Sequence, residues 1–446
     1  MEFTIACSQR FSAAATGKRL APLLAAALLL VSCASEPPRS LVTPLPPVAK
    51  PPVAAKPVNS DQPVRGVWLT TVSRLDWPPI ASVNASPATR ISMQQRALTD
   101  KLDNLKRLGI NTVFFQVKPD GTALWQSTIL PWSDTLTGRI GEYPGYDPLR
   151  FMLDEAHKRG MRVHAWFNPY RVSTNIKPAT VTELNNTLSL HPASVYVLHR
   201  DWIRTASDRF VLDPGIPAAR DWITSIVAEV VSHYDVDGVQ FDDYFYTETA
   251  SSRLNDSATF RQYGQGFATK ADWRRHNTQQ LIEQVSRTIK QLKPEVAFGV
   301  SPAGVWRNLS HDPAGSDTRG AAAYDEAYAD TRRWVQMGLL DYIAPQLYWP
   351  FARQAARYDV LANWWANVVK PTRTQLYIGV ALYKVGEAAK NEPDWTVNGG
   401  VPELKRQLDL NASLPQINGT ILFRENYLNQ PQTQQAVDYL RQRWGE

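Results

Sequence analysis

The 446-residue sequence has two cysteines, Cys7 and Cys33, and seven histidines. Cys7 lies in a segment expected to be removed and Cys33 at its boundary, so the folded body is expected to carry no thiol. That excludes a disulfide framework, a cysteine nucleophile and a cysteine metal site. The histidines form no HExxH pattern, and only His164 falls inside an apolar run, where a core histidine is the expected role. No GxGxxG or Walker pattern opens a helical segment, which removes the common nucleotide-binding loops. Ser301, in SPAG, lacks the GxSxG elbow of a serine hydrolase. No run of five like charges occurs within a net charge of +6, so no nucleic-acid surface is expected. Neither a metal nor a cofactor is expected.

The first 63 residues have a different character from the rest. Arg10, Lys18 and Arg19 precede the apolar run from Ala21 to Val31, which has the order of an export signal and is too short to span a bilayer comfortably. It ends in LVSC, Leu30 to Cys33, which resembles a bacterial lipobox, so residues 1–32 are expected to leave and Cys33 to carry the lipid. Ala34 is not the aspartate that resembles an inner-membrane retention signal, so a periplasm-facing outer-membrane lipoprotein is expected. Residues 33–63, dense in proline and without hydrophobic periodicity, suit an extended tether. Residues 64–446 form the expected folded domain.

Within that domain, short apolar runs alternate with longer segments of helical spacing. The runs are Gly66 to Thr70, Thr112 to Val117, Arg162 to Phe167, Gly238 to Phe241, Val296 to Val300, Tyr342 to Leu347, Leu376 to Val380 and Thr420 to Phe423. The helical segments are Gln94 to Leu108, Pro148 to Arg159, Ala218 to Tyr234, Lys270 to Lys293, Tyr324 to Met337, Arg357 to Val369, Val401 to Asn411 and Gln432 to Trp444. Near-continuous apolar strands alternating with helices imply a parallel sheet covered on both faces. Eight such units predict an α/β fold, a (β/α)₈ TIM barrel, with long insertions after strands three and four at 171–217 and 247–269.

In such a barrel, chemistry belongs at the carboxyl ends of the strands. Those positions hold Gln116, Lys118 and Asp120; Asn168, Tyr170 and Arg171; Asp242, Asp243 and Tyr244; Ser301, Trp306 and Arg307; Gln346, Tyr348 and Trp349; Tyr383 and Lys384; and Arg424, Glu425 and Tyr427. Glycoside hydrolysis needs one carboxylic acid and one carboxylate in a partly dry cleft. The strand-four pair and Glu425 are the candidates: Asp242 as base or nucleophile, Glu425 as general acid, and Asp243 in a supporting role, since alternation puts Gln240 and Asp242 on one face. The chain has 15 Trp and 17 Tyr, and aromatic faces in clefts stack on sugar rings. Trp125, Tyr170, Tyr244, Trp306, Tyr348 and Trp349 are expected to do so. Gln116, Lys118, Asp120, Asn168, Arg307 and Gln346 are expected to bind polar substituents.

Six stretches, RGVWLTTVSRLDWPP from Arg65, GINTVFFQVKPDGTALW from Gly109, HAWFNPYR from His164, VDGVQFDDYFY from Val236, VSPAGVWRN from Val300 and IAPQLYWPF from Ile343, closely resemble the glycosyl-hydrolase-like family 10 lipoproteins. The resemblance covers essentially all of 64–446 and is strongest to the enterobacterial, divisome-localised branch. It implies a barrel glycosidase that cleaves peptidoglycan glycan strands, particularly strands stripped of stem peptides, during daughter-cell separation, with division-machinery proteins as partners. The strand-four stretch also looks like the DGxDxDxE signature of chitinase-type barrels, with Asp237, Gly238 and Asp242 in matching places. Gln240 and Tyr244 stand where those enzymes carry Asp and the catalytic Glu. That departure keeps two alternatives open, a glycan-binding lipoprotein without catalysis and a lytic transglycosylase.

Overall fold

The computed structural model describes residues 62–246 and 254–445. The expected signal segment, the Cys33 lipidation site and all but the last two residues of the tether lie outside them, as does 247–253 of the second insertion. Eight parallel strands, β1 (Val64–Leu69), β2 (Thr112–Lys118), β3 (Arg162–Phe167), β4 (Gly238–Phe241), β5 (Ala297–Val300), β6 (Tyr342–Ile343), β7 (Gln375–Val380) and β8 (Ile417–Leu422), form a closed barrel in chain order. Closure comes from β1 against β8, with Val64 opposite Gly419 and Val67 opposite Leu422. An outer helix follows each strand, with shorter helices in some of the loops: α1 (Pro87–Arg107), α2 (Pro148–Lys158), α3 (Pro217–His233), α4 (Lys270–Leu292), α5 (Thr331–Gln336), α6 (Tyr358–Val369), α7 (Val401–Ser413) and α8 (Gln434–Trp444). The predicted TIM barrel is the observed fold.

Two elements differ from their prediction for local reasons. Pro345 has no N–H to give the ladder, so β6 is continuous only over Tyr342–Ile343 and pairing resumes as isolated bridges at Gln346. The segment expected as one helix over 324–337 is two. Tyr328 adopts φ +52°, and the Asp330 side chain accepts from the Arg333 N–H to start α5 afresh.

The core has two layers, as the alternation of side chains requires. Outward residues such as Val113, Phe115, Val239 and Phe241 pack against the helices. Inward residues form a second cluster of Val64, Trp68, Phe114, Trp166, Tyr342, Tyr377 and Ile421 that fills the barrel axis. Glycine makes room for the rings: a Cβ on Gly238 would lie 2.5 Å from the His164 ring, and one on Gly299 would lie 2.2 Å from Tyr342. His164 Nδ1 sits 3.0 Å from the Tyr342 hydroxyl, and burial pushes the imidazole down to about 3, so it is a neutral core histidine.

The first insertion carries a hairpin of Ile203–Ala206 and Arg209–Leu212. Ser207 and Asp208 join the strands with φ of +49° and +54°, the two left-handed residues of a tight hairpin turn. The second hairpin strand also pairs with the segment leaving β3. Val172 N–H donates to Phe210 O at 2.9 Å and Leu212 N–H to Tyr170 O at 2.8 Å, which places Arg171 opposite Val211. The insertion is therefore anchored at the barrel mouth by backbone hydrogen bonds.

Candidate active site

The carboxyl ends of the strands open on a cavity of about 440 Å³. Trp68, Trp166, Tyr244, Tyr348, Tyr383 and Phe423 supply its aromatic wall, and Gln116, Asn168, Gln240, Ser301 and Gln346 its amides and hydroxyl. Asp242 and Asp243 are the two carboxylates in the lining. β4 ends at Phe241, so alternation no longer governs the next two residues, and Asp243 faces the cavity along with Asp242. This corrects the expectation that the two point apart.

Asp242 is 4% exposed and held by neutral donors. Its Oδ2 accepts from the Asn168 side-chain amide and, at 3.3 Å, from Trp166 Nε1, while Oδ1 accepts from the Tyr244 N–H at 3.2 Å. Asn168 is itself fixed by Gln116, whose Nε2 donates to Asn168 Oδ1 at 2.6 Å. Gln116 Oε1 in turn accepts from the Thr71 and Val72 N–H groups, each at 2.9 Å. A chain of amides thus runs from the β1 loop through β2 and β3 to the β4 acid. Burial first, and then the neighbouring Asp243 charge, push the Asp242 carboxyl up to about 7 against the opposing pull of Arg171. Gln240, fully buried beneath it in the cavity lining, has no hydrogen-bond partner for either side-chain atom among the described residues.

Of the residues picked out in the sequence, Asp242, Asp243, Gln116, Asn168, Arg171, Tyr244, Ser301, Gln346, Tyr348 and Tyr383 come together in this cavity. Glu425 does not. Phe423 turns into the cavity, Arg424 pairs with Asp76, and Glu425, on the turn Glu425–Asn429, points to α1 and forms a buried ion pair with Lys101. It cannot act as the acid of this cleft. Lys118 lies below the rim, where its Nζ donates to the carbonyls of Asn168 at 2.8 Å and Pro169 and Arg171 at 3.3 Å, a brace for the β3 loop. Asp120 is buried beside Thr122 and Lys118, with burial raising its carboxyl to about 6. Tyr170 lines a smaller neighbouring cavity.

Trp306 stacks on Trp364 and donates to Asp330 at 2.9 Å, and Arg307 is ion-paired with Asp312 and Asp325. Trp349 packs near Gly304, and Trp125 is in the core with Glu229. Each of these was expected from its place in the chain after a strand, but the polypeptide had already turned away from the mouth. Trp68, Trp166 and Gln240 carried a usable signal, an inward position near the end of a strand. Arg209 carried none, because it reaches the cavity from the hairpin. Among the described residues, no three His, Cys, Asp or Glu side chains gather where they could hold a metal ion.

Residues 63–397 match the model of the family described as glycosyl hydrolase-like 10. The chain is 75% identical over 429 residues to the glycosyl hydrolase DigH of Escherichia coli O6:H1 (strain CFT073), covering 96% of this chain and 97% of that one. It is 44% identical over 374 residues to the glycosyl hydrolase YngK of Bacillus subtilis (strain 168), covering 83% and 70% respectively. Among solved structures, the alpha-L-fucosidase isoenzyme 2 from Paenibacillus thiaminolyticus superposes with a TM-score of 0.50 at 14% identity, over 86% of this chain and 49% of that chain, a likeness of fold. The family expected from the sequence motifs is the family found: this glycosidase belongs to the glycosyl hydrolase-like 10 family.

Proposed function

We propose that the protein hydrolyses peptidoglycan glycan strands, preferring strands that lack stem peptides. It would do so at the periplasmic face of the outer membrane, tethered through a lipid on Cys33, while daughter cells separate beside the division machinery. The observation that carries the catalytic reading is the Asp242 carboxyl, buried at the cavity wall, shifted to about 7 and set next to a second acid. A carboxyl that keeps its proton near neutrality beside one that is more exposed supports a division of labour between proton donor and anion. The roles therefore differ from those expected from the sequence: Asp242 is the acid, and Glu425 has no part.

In this mechanism the Asp242 proton sits on Oδ1, because Oδ2 already accepts two donors. It passes to the glycosidic oxygen as the bond to the anomeric carbon breaks. The positive charge on the sugar is met by the Asp243 carboxylate. Water adds its oxygen to the anomeric carbon, and its proton restores the acid, leaving two sugars with free hydroxyls. Tyr348 and Phe423, whose ring centres are 5.6 Å apart, provide a stacking wall.

The test is incubation of the purified protein with stripped glycan strands and mass spectrometry of the soluble products. Reducing ends are expected from wild type and none from Asp242→Asn. Anhydro ends would replace hydrolysis by transglycosylation, and no products from wild type would leave a binding protein.

A further inference from the structure

Two arginines stand at the cavity without a role in the mechanism. Arg171 and Arg209 line the main cavity and, with Tyr244, also line the smaller cavity of about 110 Å³ beside it. The backbone fixes their relation. Arg171 is opposite Val211, and Arg209 lies two residues from Val211 on the same strand, so the two side chains are diagonal neighbours on one face. Both lie over the Tyr244 ring, with guanidinium carbons 5.0 and 5.9 Å from its centre.

Their partners are too few for their charge. Arg171 donates to the Pro119 carbonyl at 3.2 Å, and neither arginine forms an ion pair with a carboxylate among the described residues. Some arginines of this fold are matched by carboxylates, as Arg307 is by Asp312 and Asp325 and Arg274 by Asp256, and others are held by carbonyls, as Arg74 is by Asp134 and Thr135 and Arg220 by Pro214. Two half-buried guanidiniums side by side repel one another and are well placed to hold an anion between them. Of the two cavity acids, Asp242 is shifted toward its neutral form, and Asp243 is the carboxylate assigned above to the sugar's positive charge.

We propose that Arg171 and Arg209 form a subsite that reads a carboxylate carried by the sugar chain. This rests on the peptidoglycan reading above, under which the group is the lactyl carboxylate of N-acetylmuramic acid. A stem peptide is attached through that carboxylate as an amide, so a peptide-bearing sugar is neutral there. Removing the peptide restores a negative charge and two oxygens able to accept from both guanidiniums. The preference for stripped strands is then a charge discrimination made at this subsite, in addition to any steric exclusion of the peptide.

The experiment compares stripped strands with the same strands after their carboxylates have been coupled to methylamine, a neutral and small cap. Wild type is expected to cut the acid form with a kcat/KM roughly ten- to a hundred-fold above that of the methylamide, the range for hydrogen bonds to a charged group. That ratio should narrow as salt is raised. Arg209→Gln and Arg171→Gln should bring the ratio toward one, whatever their overall rates, and Arg209→Lys should keep part of it. As a measurement free of turnover, Asp242→Asn should bind acid strands more tightly than methylamide strands, and adding Arg209→Gln should erase the difference. Equal cleavage of both strands by wild type, or an undiminished ratio in Arg209→Gln, would overturn the subsite alone. Cleavage of neither strand by wild type would overturn the peptidoglycan reading and the subsite together.

Discussion

Asp242 and Glu425 are both buried carboxyls near the barrel mouth, and burial favours the protonated form of both, pushing each above the ordinary carboxyl range. Their surroundings separate them. Asp242 meets amide, indole and backbone N–H donors, another carboxylate and an open cavity. Glu425 meets Lys101 on one oxygen and Asn429 on the other, with protein on every side. A shifted carboxyl records desolvation, which structural ion pairs undergo as well. What marks the proposed acid is that no ion pair with a cation neutralises it among the described residues and that it lines an open cavity. The difference also explains how the chain tolerates two such groups: the β8 acid is matched within the fold, whereas the β4 acid is shifted toward its neutral form.

The sharpest way to break the comparison is to exchange charge for amide at each site and measure release of reducing ends. Asp242→Asn should lower kcat by about 10²- to 10⁴-fold, the usual contribution of a positioned proton donor. Glu425→Gln should keep kcat within a few-fold, and a collapse there would move catalysis to β8.

Next in size is stability. Glu425→Gln leaves Lys101 buried without its anion, a loss of about 3 kcal/mol, read by denaturant melts. Removing the stranded charge with Lys101→Met in the same chain should recover part of it, since the pair is coupled.

The pH dependence gives a third contrast. Because the folded Asp242 carboxyl is raised to about 7 from an ordinary 3.8, its contribution to stability is fully present below pH 3.8 and is lost as pH rises through about 7. Melts of Asp242→Asn should lack that decline. Wild-type kcat should fall above pH 7 by about tenfold per unit as the proton is lost. The smallest effect expected is at Asn168. Asn168→Ala removes a donor that favours the Asp242 anion, so the alkaline limb of the pH profile should move up by a fraction of a unit, with a few-fold loss of kcat.

The barrel was legible because its strands read as apolar runs of the right length and its helices as striped segments, features set by local periodicity. Asp242 and Asp243 were legible for a related reason: two acids closing an apolar strand stand at a barrel's chemical end whatever the loops do. Beyond the last paired residue, direction depends on partners distant in sequence. Phe423 and Glu425 are two residues apart, yet one faces the cavity and the other α1, because Asp76 captures Arg424 between them and Lys101 waits 324 positions away. Trp306 and Trp349 follow strands as closely as Tyr348 does, but neighbouring helices and loops claim their rings. Arg209 reaches the mouth only through a hairpin whose register against the β3 exit is a tertiary fact.

The aromatic filling of the barrel axis determines how a polymer meets this protein. Rings admitted by Gly238 and Gly299 fill the barrel axis, so among the described residues the cavity does not continue through the barrel. If the substrate is the glycan proposed above, a strand joined to the wall at both ends should then be cut as readily as a loose one.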